Sequence, residues 1–304
     1  MTEPRGQELI NRYRWNYGIP TDAPLTEEMI LAHWKLEQHL TRELLESTPE
    51  NRWETFERCY STLYGELEWL NRLTDQAATT PPAQRYQSWS DLIGKPPKDI
   101  YEIGSGKAAM IGFLAGLGHR CTATEITRER GAKHAVEHEN LRWTLTDGVH
   151  LGEFEPPASF DFVLSDNVIE HLHPDDLMKH LADARGILRP GGQYIFAVPH
   201  RWYGPWNISK VFKYEIATGM HLKEYTHREL RNAALEAGFR RVAAVRLPPD
   251  DDSGHASEDA GLLQRICLLK QAFSLLARPI FKNRAAAIAK QLGIAPLAFL
   301  VATK

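Results

Sequence analysis

The chain has 304 residues, 43% of them hydrophobic, enough for one large domain or two small ones around a well-buried core. Its formal net charge of −3 and isoelectric point near 6.5 carry no polyanion signature, so no nucleic-acid partner is expected. Cys59, Cys121 and Cys267 lie far apart without a metal-ligand spacing, the first residues lack an apolar leader core, and no apolar run approaches the roughly 18 residues of a spanning helix; a cytoplasmic protein without a transmembrane segment is expected.

Residues 1 to about 75 read as helical. One amphipathic helix runs from Glu27 to about Leu45, with Met29, Ile30, Trp34, Leu40 and Leu44 among its apolar positions. A single second helix is expected after Thr48-Pro49-Glu50, a capping residue followed by proline, because Trp53, Phe56, Tyr60, Leu63, Leu67 and Leu70 recur at steps of three and four. Pro81-Pro82 and Pro96-Pro97 then punctuate the chain, dividing a helical extension, residues 1–95, from a second domain, residues 96–304.

From Asp99 the pattern changes to strands at 99–103, 120–125, 141–145, 160–165, 193–198, 240–247 and 297–302, alternating with helices at about 108–117, 127–136, 175–186 and 226–237. Pro190-Gly191-Gly192 is expected to turn the chain sharply just before the fifth strand. "DIYEIGSGKAAM", residues 99–110, reads as a strand, a glycine loop and a helix start, which brings backbone N–H groups and a helix N-terminus against a ligand. On this stretch alone the ligand is either a dinucleotide or S-adenosylmethionine, since Gly104-Ser105-Gly106-Lys107-Ala108-Ala109 also fits a G-x-G-x-x-G/A fingerprint. In both cases Glu125, at the tip of the second strand, is placed to accept from two ribose hydroxyls.

Several ordered motifs together resemble the class I S-adenosylmethionine-dependent methyltransferases over about residues 95–304. Glu102-Ile103-Gly104-Ser105-Gly106 is similar to their E-x-G-x-G loop, with Ala108 where a third glycine is usual. Glu125 follows Gly104 by 21 residues, Asp147-Gly148 closes "LRWTLTDG", "FDFVLSDNVIEHL" is similar to the fourth-strand motif around Asp166, and "EAGF" precedes a late strand pair. The resemblance implies a Rossmann-like, doubly wound α/β sheet of seven strands, mostly parallel with an antiparallel final strand. It also implies S-adenosyl-L-methionine as cofactor, held by Glu102, Gly104, Ser105 and Gly106, with Glu125 at the ribose, Asp147 and Gly148 at the adenine and Asp166 at the methionyl end. Lys107 is either a partner for the cofactor carboxylate or a solvated loop residue.

Methyl transfer is an in-line displacement in which the acceptor's lone pair must sit behind the methyl carbon. A hydroxyl acceptor also needs a base. The candidates are His200, directly after Pro199 at the end of the fifth strand and the first choice, then His171, His221 and Tyr225. "EHLHPDD" offers His171 and His173 with Asp175 or Asp176 as a metal set, but the family often carries Glu-His here without metal, and none is expected.

The insertion at about 200–226 carries Arg201, Trp202, Tyr203 and Trp206, planar faces and a cation suited to a saccharide, an aromatic ring or an anionic group. Its Gly-Pro, Ile-Ser-Lys and His-Leu-Lys-Glu-Tyr-Thr stretches resemble a bacterial subgroup often assigned to small-molecule or glycan modification. "RYRWNYG", residues 12–18, either folds over the cleft with Tyr13, Trp15 or Tyr17 near the acceptor or seats the helical extension on the sheet. Residues 261–304 hold seven Lys and Arg and no acid; the basic helical stretch at about 261–291 either lies on an anionic membrane, implying a lipid-linked acceptor, or packs on its own domain. The reading is O-methylation of a small molecule or saccharide. N-methylation of a small molecule and a nicotinamide-dependent oxidoreductase stay open as alternatives.

Overall fold

The computed structural model describes residues 3–75, 80–128, 138–245 and 297–304. The helix expected at 127–136 and the basic stretch at 261–291 fall largely or wholly outside the described residues. The sheet comprises β1 (Asp99–Ile103), β2 (Arg120–Glu125), β3 (Leu141–Leu145), β4 (Phe160–Asp166), β5 (Leu188–Pro199), β6 (Arg241–Ala244) and β7 (Leu297–Thr303). The strand order is β3-β2-β1-β4-β5-β7-β6, parallel except for β7, which runs antiparallel to both β5 and β6.

The period-2 geometry of strands explains why both sheet faces are covered. Ile100, Leu164 and Ile195 point to one face, packed with Trp89 and Ile111, while Tyr101, Val163 and Tyr194 point to the other, packed with Leu181 and Leu230. The covering helices on the first side are α6 (Gln87–Ile93) and α7 (Ala109–Gly116), and on the second α9 (Leu177–Ile187) and α10 (His227–Glu236), numbered after α8 (Leu151–Phe154). Strand order reverses between β1 and β4, which opens a crevice beyond their carboxyl ends, where open α/β sheets bind ligands.

The extension folds as α1 (Gly6–Tyr17), α2 (Glu27–Glu46), α3 (Arg52–Glu66) and α4 (Glu68–Asp75), with a single turn, α5 (Pro82–Arg85), leading to the sheet. The one helix expected after Thr48 is thus two. It also starts later, because Thr48 N–H donates to Asn51 Oδ1 at 2.9 Å and closes a turn through Pro49-Glu50 first. Leu9, Tyr13, Ile30, Leu44, Phe56 and Leu63 form a core that continues into Ile208, Val211, Phe212 and Met220 of the long insertion. Trp34 stacks on Phe212 with ring centroids 4.8 Å apart, and Arg12 donates to the carbonyls of Lys210 and Val211 at 2.6 and 2.7 Å. The insertion is therefore packed against the extension.

The turn at Pro190-Gly191-Gly192 lies inside β5 rather than before it. Phe160 pairs with Leu188 and Phe162 with Gln193, so the residues between bulge out while pairing resumes on both sides.

Candidate functional site

The glycine loop leaves β1 and is pinned to β2. Ser105 N–H donates to the Thr124 carbonyl at 2.8 Å, and Gly106 N–H donates to Glu125 Oε1 at 2.8 Å. Gly104 has φ +65°, and a Cβ there would meet Val168 Cγ2 at 2.7 Å, so conformation and space both require glycine. Ala108, in place of the third glycine, is buried and also left-handed, at φ 55°. Its cost lies in the backbone, about 1–2 kcal/mol for an L-residue in that region.

Beyond this loop lies a cavity of about 640 Å³. Glu102, Gly104, Ser105, Gly106, Glu125, Asp147, Gly148 and Asp166 all line it, as do Lys107, His171 and His221. Glu125 Oε2 accepts from the Ile126 N–H at 3.0 Å. Asp147 Oδ1 accepts from the N–H groups of Val149 and His150, both at 2.9 Å, and Oδ2 lies 2.6 Å from His150 Nδ1. Glu102 is buried, and its Oε2 has no hydrogen-bond partner. Burial first, then the neighbouring Asp166 and Glu125 charges, push its carboxyl up to about 8 against an opposing hydrogen bond from Ile111. Burial also raises Asp166, and the Arg85 guanidinium works against that shift.

The opposite wall comes from the extension and the insertion. Tyr17, Glu37, Phe56, Tyr60, Leu63 and Tyr64 line the cavity together with Trp206, Asn207, Met220 and His221. Glu37 joins the two pieces: His33 Nε2 lies 2.8 Å from Glu37 Oε1, and the Met220 N–H donates to Glu37 Oε2 at 3.1 Å. Tyr13 Oη in turn lies 2.6 Å from His33 Nδ1, with burial raising the phenol well above its usual range so that it stays protonated. The buried Tyr60 hydroxyl and Asn207 Nδ2 have no protein partner. Sequence reasoning missed Glu37, Tyr60 and Arg85, because only the packing of α2, α3 and α5 brings them here; the single acid among the buried positions of α2 was the available signal for Glu37.

The four candidates for base separate into two pairs. His171 and His221 sit on the cavity wall with ring centroids 4.8 Å apart. His171 Nδ1 meets the Met220 carbonyl at 2.9 Å, and His221 Nδ1 meets Glu224 Oε1 at 3.0 Å. His200 and Tyr225 are both buried and neither lines the cavity. The first choice for base is thereby displaced: after Pro199 the chain bridges in parallel to Tyr225, Arg201 N–H donates to the Tyr225 carbonyl, and the His200 ring is carried beneath Trp202, Tyr203 and His227. Tyr225 packs into the sheet core. His173 lies 3.3 Å from the Leu45 carbonyl through Nε2 and accepts the Asp175 N–H through Nδ1, so its pairing with His171 does not form.

"RYRWNYG" divides between its two readings. Tyr13 is core, Tyr17 lines the cavity, and Trp15 is 74% exposed with Lys210 Nζ 5.0 Å from its ring centroid. Among the described residues no helix is long and apolar enough to cross a membrane.

Residues 101–196 match a family model described as a methyltransferase domain. An uncharacterized 37.1 kDa protein in transposon TN4556 of Streptomyces fradiae is 26% identical over 238 residues, 74% of this chain and 67% of that protein. A "Probable S-adenosylmethionine-dependent methyltransferase" of Mycolicibacterium smegmatis is 27% identical over 146 residues, 47% of this chain and 52% of that protein. Among solved structures, the Burkholderia thailandensis 1,6-didemethyltoxoflavin-N1-methyltransferase superposes with a TM-score of 0.49 at 20% identity, covering 78% of this chain and 90% of its own. A SAM-dependent methyltransferase from Archaeoglobus fulgidus gives 0.47 at 16% identity, covering 72% and 91%. The nicotinamide alternative falls with the family match and the topology, since the dinucleotide order 3-2-1-4-5-6 has no antiparallel strand inserted after the fifth. Residues 101–196 carry a methyltransferase domain, and the chain is an enzyme that uses S-adenosyl-L-methionine.

Proposed function

We propose that the enzyme methylates a hydroxyl of a small molecule or saccharide enclosed between the sheet and the helical extension. When bound, S-adenosylmethionine supplies an electrophilic methyl carbon on a cationic sulfur; the chain must supply binding, alignment and a place for the acceptor proton. Its residues fit the cofactor. Glu125 has the position for the ribose hydroxyls, the Asp147 carboxylate for the adenine amino group, and Glu102 with Asp166 for the methionyl ammonium. A buried Glu102 oxygen without a partner is the kind of group an ammonium would satisfy. Arg85 and Lys107 are the cations on that side for the methionyl carboxylate.

The observation that carries the hydroxyl assignment is the pair His171 and His221 on the acceptor wall, each ring fixed by a partner at Nδ1. A hydroxyl placed against this edge can give up its proton there, and a carboxylate acceptor would have no use for it. The Tyr60 hydroxyl and Asn207 Nδ2, both unpartnered on the same wall, favour an acceptor with several polar groups. Tyr17, Tyr64 and Trp206 supply planar faces for a ring.

The test is incubation with methyl-labelled S-adenosylmethionine and a panel of phenols, sugars, glycosides and small amines, with product methyl groups assigned by NMR. The reading requires methoxy products from hydroxyl acceptors and their loss in His221→Ala. N-methyl products alone would overturn it in favour of amine methylation.

A further inference from the structure

Glu170 has no role in the account so far, although it lies directly against the acceptor wall. It belongs to the single 3-10 turn Ile169–His171 that follows β4, is fully buried, and leaves both carboxylate oxygens without a hydrogen-bond partner. A fully buried carboxyl group with nothing to bond is costly unless something pairs with it. Ligand atoms of Glu170, His171 and His221 all lie within 4.8 Å of one another. Burial pushes the Glu170 carboxyl up to about 7, with the nearby His221 opposing the shift.

The surroundings of the two imidazoles have the pattern seen around metal-ligating histidines, in which one ring nitrogen is oriented by a carbonyl or carboxylate and the other faces the ion. His171 Nδ1 is held by the Met220 carbonyl, and His221 Nδ1 by Glu224 Oε1. That outer layer is itself fixed. Glu224 Oε1 also accepts the Trp206 N–H at 2.8 Å, and the Met220 N–H donates to Glu37. Gly204 lets the Glu224 carboxylate come this close, because a Cβ there would meet Glu224 Oε2 at 2.0 Å.

We propose that Glu170, His171 and His221 bind a divalent transition-metal cation at the acceptor end of the cavity. Two imidazoles and one carboxylate suit zinc, cobalt(II) or iron(II) better than magnesium or calcium, which take mostly oxygen. Three protein ligands leave a coordination position open, and His171 and His221 line the cavity, so that position faces the acceptor. An acceptor hydroxyl bound there would lose its proton to water at a lower pH than in solution, as coordinated water does. The set differs from the grouping of His171 and His173 with Asp175 or Asp176 suggested by the sequence, from which the fold turns His173 away to the Leu45 carbonyl and the Asp175 N–H. The use of the ion rests on the hydroxyl-acceptor reading above, whereas the site does not.

The test is titration of the chelator-treated full chain with cobalt(II) chloride, followed by calorimetry and visible absorption, without acceptor or cofactor. One ion per chain is expected, with affinity reduced at least 100-fold in Glu170→Gln and in His221→Asn. Affinity for S-adenosylhomocysteine, measured on the same samples, should be unchanged in Glu170→Gln and shows that the variant is folded. Failure of the wild-type chain to bind cobalt(II) stoichiometrically, or equal binding by both variants, overturns the site. Hydroxyl methylation in metal-free protein, undiminished by chelator, overturns the ion's role in the reaction and leaves the O-methylation reading intact. Stoichiometric cobalt(II) binding together with N-methyl products alone supports the site and overturns that reading instead.

Discussion

Glu102 offers a test of the cofactor pocket that needs no substrate. Its carboxyl is pushed up from an ordinary 4.5 to about 8, chiefly by burial. The sign follows from linkage. A group whose folded pKa exceeds its unfolded one contributes stability that is fully present below the unfolded pKa, about 4.5, and is lost as pH rises toward the folded value of about 8. Each pH unit in that window costs about 1.4 kcal/mol, so the ligand-free protein should lose about 3 kcal/mol between pH 5.5 and pH 8.5 through this side chain. Glu102→Gln has nearly the same shape and does not titrate. Denaturant unfolding of both proteins at the two pH values reads the effect as a difference of differences, which cancels all other titrations. The variant should gain on the wild type by that amount at the higher pH. Parallel pH profiles would show that Glu102 ionises normally and would refute the account of a buried, unpartnered carboxyl.

Three further outcomes concern the extension and the insertion packed against it. Glu37→Gln puts a donor against either His33 or the Met220 N–H; it should cost about 1–3 kcal/mol of stability and about tenfold in acceptor kcat/KM, with affinity for S-adenosylhomocysteine unchanged. Equal losses for acceptor and cofactor would contradict the assignment of Glu37 to the acceptor side. Gly219→Ala would drive a Cβ to within 2.2 Å of Glu37 Oε2 and should lower stability by about 1–3 kcal/mol, while Gly186→Ala, with nothing within 4 Å, should not destabilise; thermal melts of the two distinguish them. Trp15→Ala should change stability by less than about 1 kcal/mol, since the ring is mostly exposed and its cation–π contact with Lys210 is a surface one. A larger loss in a denaturant titration would mean that Trp15 helps to seat the extension.

The residues proposed for the cofactor were legible as neighbours on one cavity because their positions follow from local sequence. Glu102, Glu125, Asp147 and Asp166 sit at or just beyond strand ends, and a strand leaves little choice about where its tip residue goes once the sheet order is known. The acceptor half was not legible in the same way. Tyr17, Glu37 and Tyr60 come from three different helices and meet only through the core that the extension shares with Phe212 and Met220. His200 shows the limit most clearly. Its place after a strand suggested a side chain reaching the pocket, but its backbone bridge to Tyr225, some two dozen residues further on, turns it into the interior. Similarly, the periodicity after Trp53 continues past Leu67, yet Leu67 itself leaves helical geometry, at φ −104° and ψ 19°, and a separate helix begins at Glu68.

The most direct measurement is calorimetric titration of the purified protein with S-adenosylmethionine, S-adenosylhomocysteine and NADH, repeated with Glu125→Ala. Glu125 stands at the tip of β2 with its carboxylate on the cavity. Loss of its charge-assisted hydrogen bonds should cost about 1.5–3 kcal/mol, or a roughly 10- to 100-fold weaker affinity for both sulfur ligands. The account requires one site per chain for those two ligands, weakened in the variant, and no binding of NADH. Binding of NADH in their place, or sulfur-ligand affinity untouched by the substitution, would contradict it.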